Sequence, residues 1–239
     1  TQLTAIGAGT LATNTTGSYS SAFGSNALSN NTYGNSNLAI GNNSLLDLTT
    51  GNSNSGLGNA AGSNVTTGQY GVFVGESAGL GTTTASKSIY IGWESGPNDN
   101  SDENVMIGTR SGYNTNATGS TYVGSYAGHN NATGANSTYL GYLAGYSATG
   151  SGNTMLGTGL SGATGSNQLR ISTGAGTQIY SDGAASIRVY NMFIPKVDTT
   201  ANITGTAAPV AGMLAWSSDD QHYAFYNGST WRKLNDSAL

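Results

Sequence analysis

The chain has 239 residues, of which only 8% are charged, and it carries 37 Gly, 14 Tyr, 3 Trp and no Cys. The absence of cysteine excludes a disulfide framework, a thiolate metal site and a thiol nucleophile, while the aromatic content argues against disorder despite the Gly, Ser, Thr and Asn bias. The net charge is −4 and Lys87 and Arg110 are the only basic residues before position 168, which argues against nucleic acid as a partner; no apolar run is long enough to predict membrane insertion.

From the N-terminus the chain repeats itself. Gly7, Gly24, Gly41, Gly58, Gly75, Gly92, Gly108, Gly124, Gly141 and Gly157 follow one another at intervals of 16 or 17 residues. A fixed period of this kind marks one structural unit per repeat, stacked along an axis. The residue before each of these glycines is apolar without exception: Ile6, Phe23, Ile40, Leu57, Val74, Ile91, Ile107, Val123, Leu140 and Leu156. This column is predicted to point into a core. The residue before it changes from small (Ala5, Ala22, Ala39, Gly56) to bulky (Phe73, Tyr90, Met106, Tyr122, Tyr139, Met155), and strand alternation places it on the opposite face. Three residues after each Gly comes a small residue, followed by Leu in early repeats and Gly in later ones, where a second short strand is predicted. The remainder, such as LTTG and VTTG, is turn chemistry.

Repeats this short, rich in Gly, Asn and Thr and lacking a 3.6-residue apolar pattern, exclude a helical solenoid. The predicted fold class is all-β: a parallel β-roll or β-solenoid of ten rungs over residues 1–167, about 48 Å long at the usual strand spacing. One large apolar column per rung makes a thin core for a free-standing rod. A homotrimer or other closed oligomer, sharing a core among chains, is therefore favoured over a monomer.

The cadence Asn37-Leu38-Ala39-Ile40-Gly41-Asn42-Asn43-Ser44-Leu45 resembles the head repeats of trimeric autotransporter adhesins and related repeats of bacteriophage tail fibres, across residues 1–167. The resemblance implies a left-handed β-roll packed as a trimer. The period is longer than is usual in adhesin heads, which favours the phage version.

After Asn167 the cadence stops. Residues 168–210 read as a β-rich connector and 211–239 as a C-terminal three-stranded tip, with Ser218-Asp219-Asp220 and Asn227-Gly228 as its turns. The ending, Tyr226-Asn227-Gly228-Ser229-Thr230-Trp231, is similar to the ends of many phage tail-fibre chains; no adhesin anchor or coiled-coil stalk is read.

Candidate chemistry is sparse. His129 and His222 have no cysteine or HxxxH partner, so metal and triad roles are unsupported. Glu76 and Glu94 follow their glycines at different offsets, which points them to opposite faces rather than making a glycan-cleaving pair. Asp99, Asp102 and Glu103 in PNDNSDEN could offer oxygen ligands to calcium, but a polar corner is the better reading. Neither catalytic, cofactor nor metal residues are assigned. Trp93, Tyr126, Tyr142 and Tyr146 fall after the marking glycines, at corners where exposed rings can stack on sugars or anchor a protein. In the tip, His222, Tyr223 and Tyr226 are expected to be the accessible set.

The expected function is a structural and receptor-binding segment of a phage tail fibre, in the virion tail among other tail proteins, holding a host cell-surface glycan or outer-surface protein without catalysis. The alternatives are the head of a bacterial trimeric adhesin, at the bacterial surface, and a polysaccharide depolymerase with sites between chains.

Overall fold

The computed structural model describes residues 2–161, 165–172, 177–181, 187–189, 214–217, 222–226, 229 and 231–233. Two compact units divide after Ile187. The first is a β-solenoid of ten rungs. Its strands are β1 (Leu3–Ile6), β2 (Ser20–Phe23), β3 (Leu38–Ile40), β4 (Ser55–Leu57), β5 (Val72–Val74), β6 (Ile89–Ile91), β7 (Val105–Ile107), β8 (Thr121–Val123), β9 (Thr138–Leu140) and β10 (Thr154–Gly157). Each pairs in parallel with the next, and the apolar columns stay in register: Ile40 lies opposite Phe23 and Leu57, Tyr122 opposite Met106 and Tyr139. The parallel stack outlasts the glycine cadence by one strand, β11 (Leu169–Ser172), after which β12 (Thr177–Ser181) pairs antiparallel. β13 (Ile187–Val189) ends the sheet. In the second unit β14 (Leu214–Ser217), β15 (His222–Tyr226) and β16 (Trp231–Lys233) form an antiparallel three-stranded sheet in sequence order.

Each of the ten rungs has one strand of three or four residues, not two. Where a second strand is predicted after the marking glycine, the backbone repeatedly enters the left-handed region: Asn26 and Leu28, Asn43 and Leu45, Tyr126 and Gly128 all have positive φ. Alternating pleat cannot form through such residues. Their N–H groups still donate along the axis, Asn43 to Ser25 O at 2.9 Å and Leu45 to Ala61 O at 2.9 Å, so the corners are tied rung to rung like the strand. The marking glycines have φ near +130°, and a Cβ on Gly24 would sit 2.5 Å from Gly41 O. Only glycine fits there.

The core is the reverse of the sequence reading. The column before the glycines faces outward, with Ile6 61%, Leu57 47% and Leu156 46% exposed. The column of Ala22, Ala39, Phe73, Tyr90, Met106, Tyr122, Tyr139 and Met155 is fully buried. Its change in size is balanced inside the same rungs. Where the strand supplies Ala22 or Ala39, the corner supplies buried Leu28 or Leu45; where it supplies a large ring, the corner is Gly79, Gly96, Gly128 or Gly145. A Cβ on Gly128 would lie 2.6 Å from Tyr122 Cδ2. At Gly56 and Gly62, where one rung lacks both, Leu45 and Phe73 from the neighbouring rungs fill the gap. Close packing is kept at constant volume while its source moves from corner to strand.

Buried Asn37 and Asn54 are satisfied along the axis. Asn37 donates Nδ2 to Gly51 O at 2.8 Å and accepts from Asn54 N on Oδ1 at 2.8 Å; Asn54 repeats the pattern with Gly68 and Gly71. Tyr122 and Tyr139 stack at 4.9 Å, and Asn131 Nδ2 donates to the Tyr122 hydroxyl at 2.7 Å. Burial lifts the Tyr122 phenol to about 12.

Candidate functional site: an aromatic face on rungs six to nine

Column positions one, two and five residues after the marking glycine lie at one corner of the rod. In rungs one to five they hold mostly small or polar residues. In rungs six to nine they hold Trp93, Glu94, Arg110, Tyr113, Tyr126, His129, Tyr142 and Tyr146. Because neighbouring rungs are in register, equivalent side chains stack. His129 lies between Tyr113, at 5.0 Å and 7° between planes, and Tyr146, at 4.9 Å and 12°. Tyr126 leans on His129 at 5.4 Å and on Tyr146 at 6.5 Å. At the other end the Arg110 guanidinium lies 4.5 Å from the Trp93 ring centroid and 5.2 Å from that of Tyr113, and its Nε donates to Glu94 Oε2 at 2.7 Å.

His129 is held toward its neutral form in this stack. Burial lowers its pKa from the ordinary value, opposed by its hydrogen bond to Asn130, and the Arg110 cation lowers it further. Asn130 Oδ1 accepts from Asn114 Nδ2 at 2.9 Å and lies 3.0 Å from His129 Nδ1. A carbonyl oxygen carries no proton, so this arrangement places the imidazole proton on Nδ1.

The stack ends at Tyr146. Residues 157–168 contain no aromatic side chain, and a cleft of about 480 Å³ opens there, lined by Tyr126, Tyr142, Leu143, Tyr146, Gly159 and Ser161. Trp93 and Tyr142 are exposed, and Tyr126 and Tyr146 are half-buried.

The structure therefore brings Trp93, Tyr126, Tyr142 and Tyr146 onto one face and adds Arg110, Tyr113 and His129. The signal for the additions was the rung length itself: Tyr113, His129 and Tyr146 are spaced 16 and 17 apart. A search for local metal spacings passes over that. His222, Tyr223 and Tyr226 belong to β15 in the second unit, and their side-chain placement lies outside what the structure describes.

The acidic residues disperse. Asp99 is buried, where its Oδ2 accepts from Tyr90 Oη at 2.8 Å and Asn104 Nδ2 at 2.7 Å, and its Oδ1 from Ser101 N at 2.9 Å. Desolvation raises its pKa to about 6, against those hydrogen bonds. Asp102 accepts from Ser86 N, Glu103 pairs with Lys87 at 3.1 Å, and Glu94 is held by Arg110. Among the described residues no three His, Cys, Asp or Glu side chains group as a metal site, and no helix is long and apolar enough to cross a membrane.

Compared with known proteins, the chain matches no family model, no curated protein and no solved structure.

Proposed function

We propose that the chain is a structural and receptor-binding segment of a bacteriophage tail fibre, homotrimeric and non-catalytic, that holds a host cell-surface glycan or outer-surface protein. The observation that carries this reading is a rod whose repeats are alike in their backbone yet carry, on four rungs only, a continuous face of stacked aromatic side chains. A uniform shaft needs no such face. Exposed aromatic clusters of this kind are what recognition surfaces are made of.

The outward columns support the trimer. The outer sheet face presents Leu38 and Ile40 on β3, Leu57 on β4, Val72 and Val74 on β5, Ile89 and Ile91 on β6, and Val105 and Ile107 on β7, at least partly exposed throughout. An apolar strip that runs the length of a rod marks an interaction surface, and in a closed ring of three it is covered by identical strips. Three copies of a shallow site then bind with the avidity that one lacks.

Static light scattering and cell adsorption test the reading together. The expected solution mass is three times 24.1 kDa, and the fluorescently labelled chain is expected to coat some members of a panel of bacterial strains. A monomer that coats none overturns it. Shortening of capsule or lipopolysaccharide chains on incubation would establish the depolymerase instead.

A further inference from the structure

The cleft beyond Tyr146 continues the aromatic column rather than interrupting it. Rungs seven to nine contribute Tyr113, His129 and Tyr146, which succeed one another in a stack at 5.0 and 4.9 Å. Among the described residues of rung ten, Gly159 and Ser161 line this corner beside the cleft, and the sequence puts Gly162, not a ring, at the next position of the column. Resting on the surface-attachment reading above, we propose that this cleft binds an uncharged pyranose unit of a cell-surface glycan, stacked beside Tyr146 with Tyr126 and Tyr142 as side walls.

Three features select that ligand class. The cleft has the size of a small-molecule site, at the shallow and open end of the range. Its rings are all tyrosines, each offering an apolar face and a hydroxyl, which suits a molecule with an apolar ring face and a hydroxylated rim. Among the described residues its lining holds no Lys, Arg, Asp or Glu. The cation and the anion on this face, Arg110 and Glu94, are spent on each other at 2.7 Å. A sialic acid, uronate or sulfated sugar would therefore find no counter-charge.

A peptide is disfavoured by the backbone. Peptides that add to a β structure need free N–H groups at an edge, and here Gly159 N already donates to Tyr142 O at 2.9 Å, Leu143 N to Ser125 O at 3.0 Å and Ser161 N to Gly159 O at 2.9 Å. The ligand must be held by ring stacking and hydroxyl contacts, as a sugar is.

Saturation-transfer NMR on the full chain tests this with maltohexaose, mannohexaose, galactohexaose and dextran at millimolar concentration, beside sialyllactose and a Tyr-rich peptide. Transfer to ring C–H protons of at least one neutral sugar is expected. Tyr146→Ala and, separately, the exposed Tyr142→Ala should weaken it about tenfold, the scale of one stacking contact; Tyr33→Ala, exposed on an earlier rung, should leave it unchanged. Tyr142 is exposed, so its variant keeps the test valid if loss of Tyr146 perturbs the fold. No transfer from any neutral sugar, transfer confined to sialyllactose or to the peptide, or transfer indifferent to both tyrosines overturns the proposal. Cell adsorption separates the two levels: coating of cells that survives both substitutions refutes the cleft and keeps the attachment reading. Sugar binding that depends on Tyr142 and Tyr146, in a chain that coats no cell, keeps the cleft and refutes the attachment reading.

Discussion

The exchange of volume between strand and corner predicts a specific rescue. Tyr122 is fully buried, stacks on Tyr139 and accepts a hydrogen bond from Asn131, so Tyr122→Ala should cost about 3 to 5 kcal/mol, as aromatic truncations in cores do. Gly128→Leu alone should also destabilise. Its φ is +61°, which costs a side-chain-bearing residue about 1 to 2 kcal/mol, and its Cβ would meet Tyr122 at 2.6 Å, adding about 1 to 3 kcal/mol of overpacking. The double variant rebuilds what rungs two and three already contain: Ala22 with Leu28, and Ala39 with Leu45, both leucines at φ near +50°. The overpacking and most of the cavity then vanish together, leaving the left-handed backbone cost and about 1 kcal/mol for the partner that Asn131 loses. A favourable coupling of about 3 to 6 kcal/mol is expected between the two sites. Guanidinium unfolding followed by circular dichroism at one fixed chain concentration measures it, provided the m-values agree. Additivity of the single effects to within about 0.5 kcal/mol would refute the volume argument.

Asp99 predicts a rod that becomes more stable as the solution is acidified. Its carboxyl rises from 3.8 to about 6 on folding, so between these values the folded chain binds more protons than the unfolded one. Stability is then highest below about 3.8, falls as pH rises to about 6 and levels off above, by about 3 kcal/mol in all; thermal unfolding from pH 4 to pH 7 should show the fall, and Asp99→Asn should abolish it. On the outer face, Ile40→Asp with Leu57→Asp should reduce the mass by light scattering to that of one chain while circular dichroism keeps its β signature, since neither side chain serves the internal core. Arg110→Ala should red-shift the emission of Trp93, read in a Trp216→Phe, Trp231→Phe background, with little change in stability, because the cation lies over an exposed ring and its ion pair is near the surface.

The rung length, the number of rungs, the parallel stacking and the all-β class were legible because they depend on repetition, and repetition survives loss of all other information. The single strand per rung was not. Small, polar and glycine residues after Gly41 or Gly124 are compatible with a short strand, and only the positive φ of Asn43, Leu45 and Tyr126 rules it out. Of the candidate site, Trp93, Tyr126, Tyr142 and Tyr146 were visible as aromatic residues at corners after the marking glycines. Their union with Arg110, Tyr113 and His129 was hidden, because residues 16 or 17 apart become neighbours only after the chain has completed a turn.

The inverted core has the most general cause. On a three-residue strand such as Tyr122 with its neighbours Thr121 and Val123, alternation separates two faces but does not say which is inside when both can be apolar. The column before the glycines looks like a core because it is apolar throughout, and a column that runs from Ala22 to Tyr122 looks like a surface because it changes in size. Packing reverses this inference. A column inside a closed rung is free to change size if another inward column changes in the opposite sense, and the Leu28-to-Gly128 column does so. A column on the outside has no partner within the chain to compensate it. Its apolar character across Ile40, Leu57, Val74, Ile91 and Ile107 is what the trimer proposal would account for: in that reading the uncompensated column is kept apolar by the identical columns it meets.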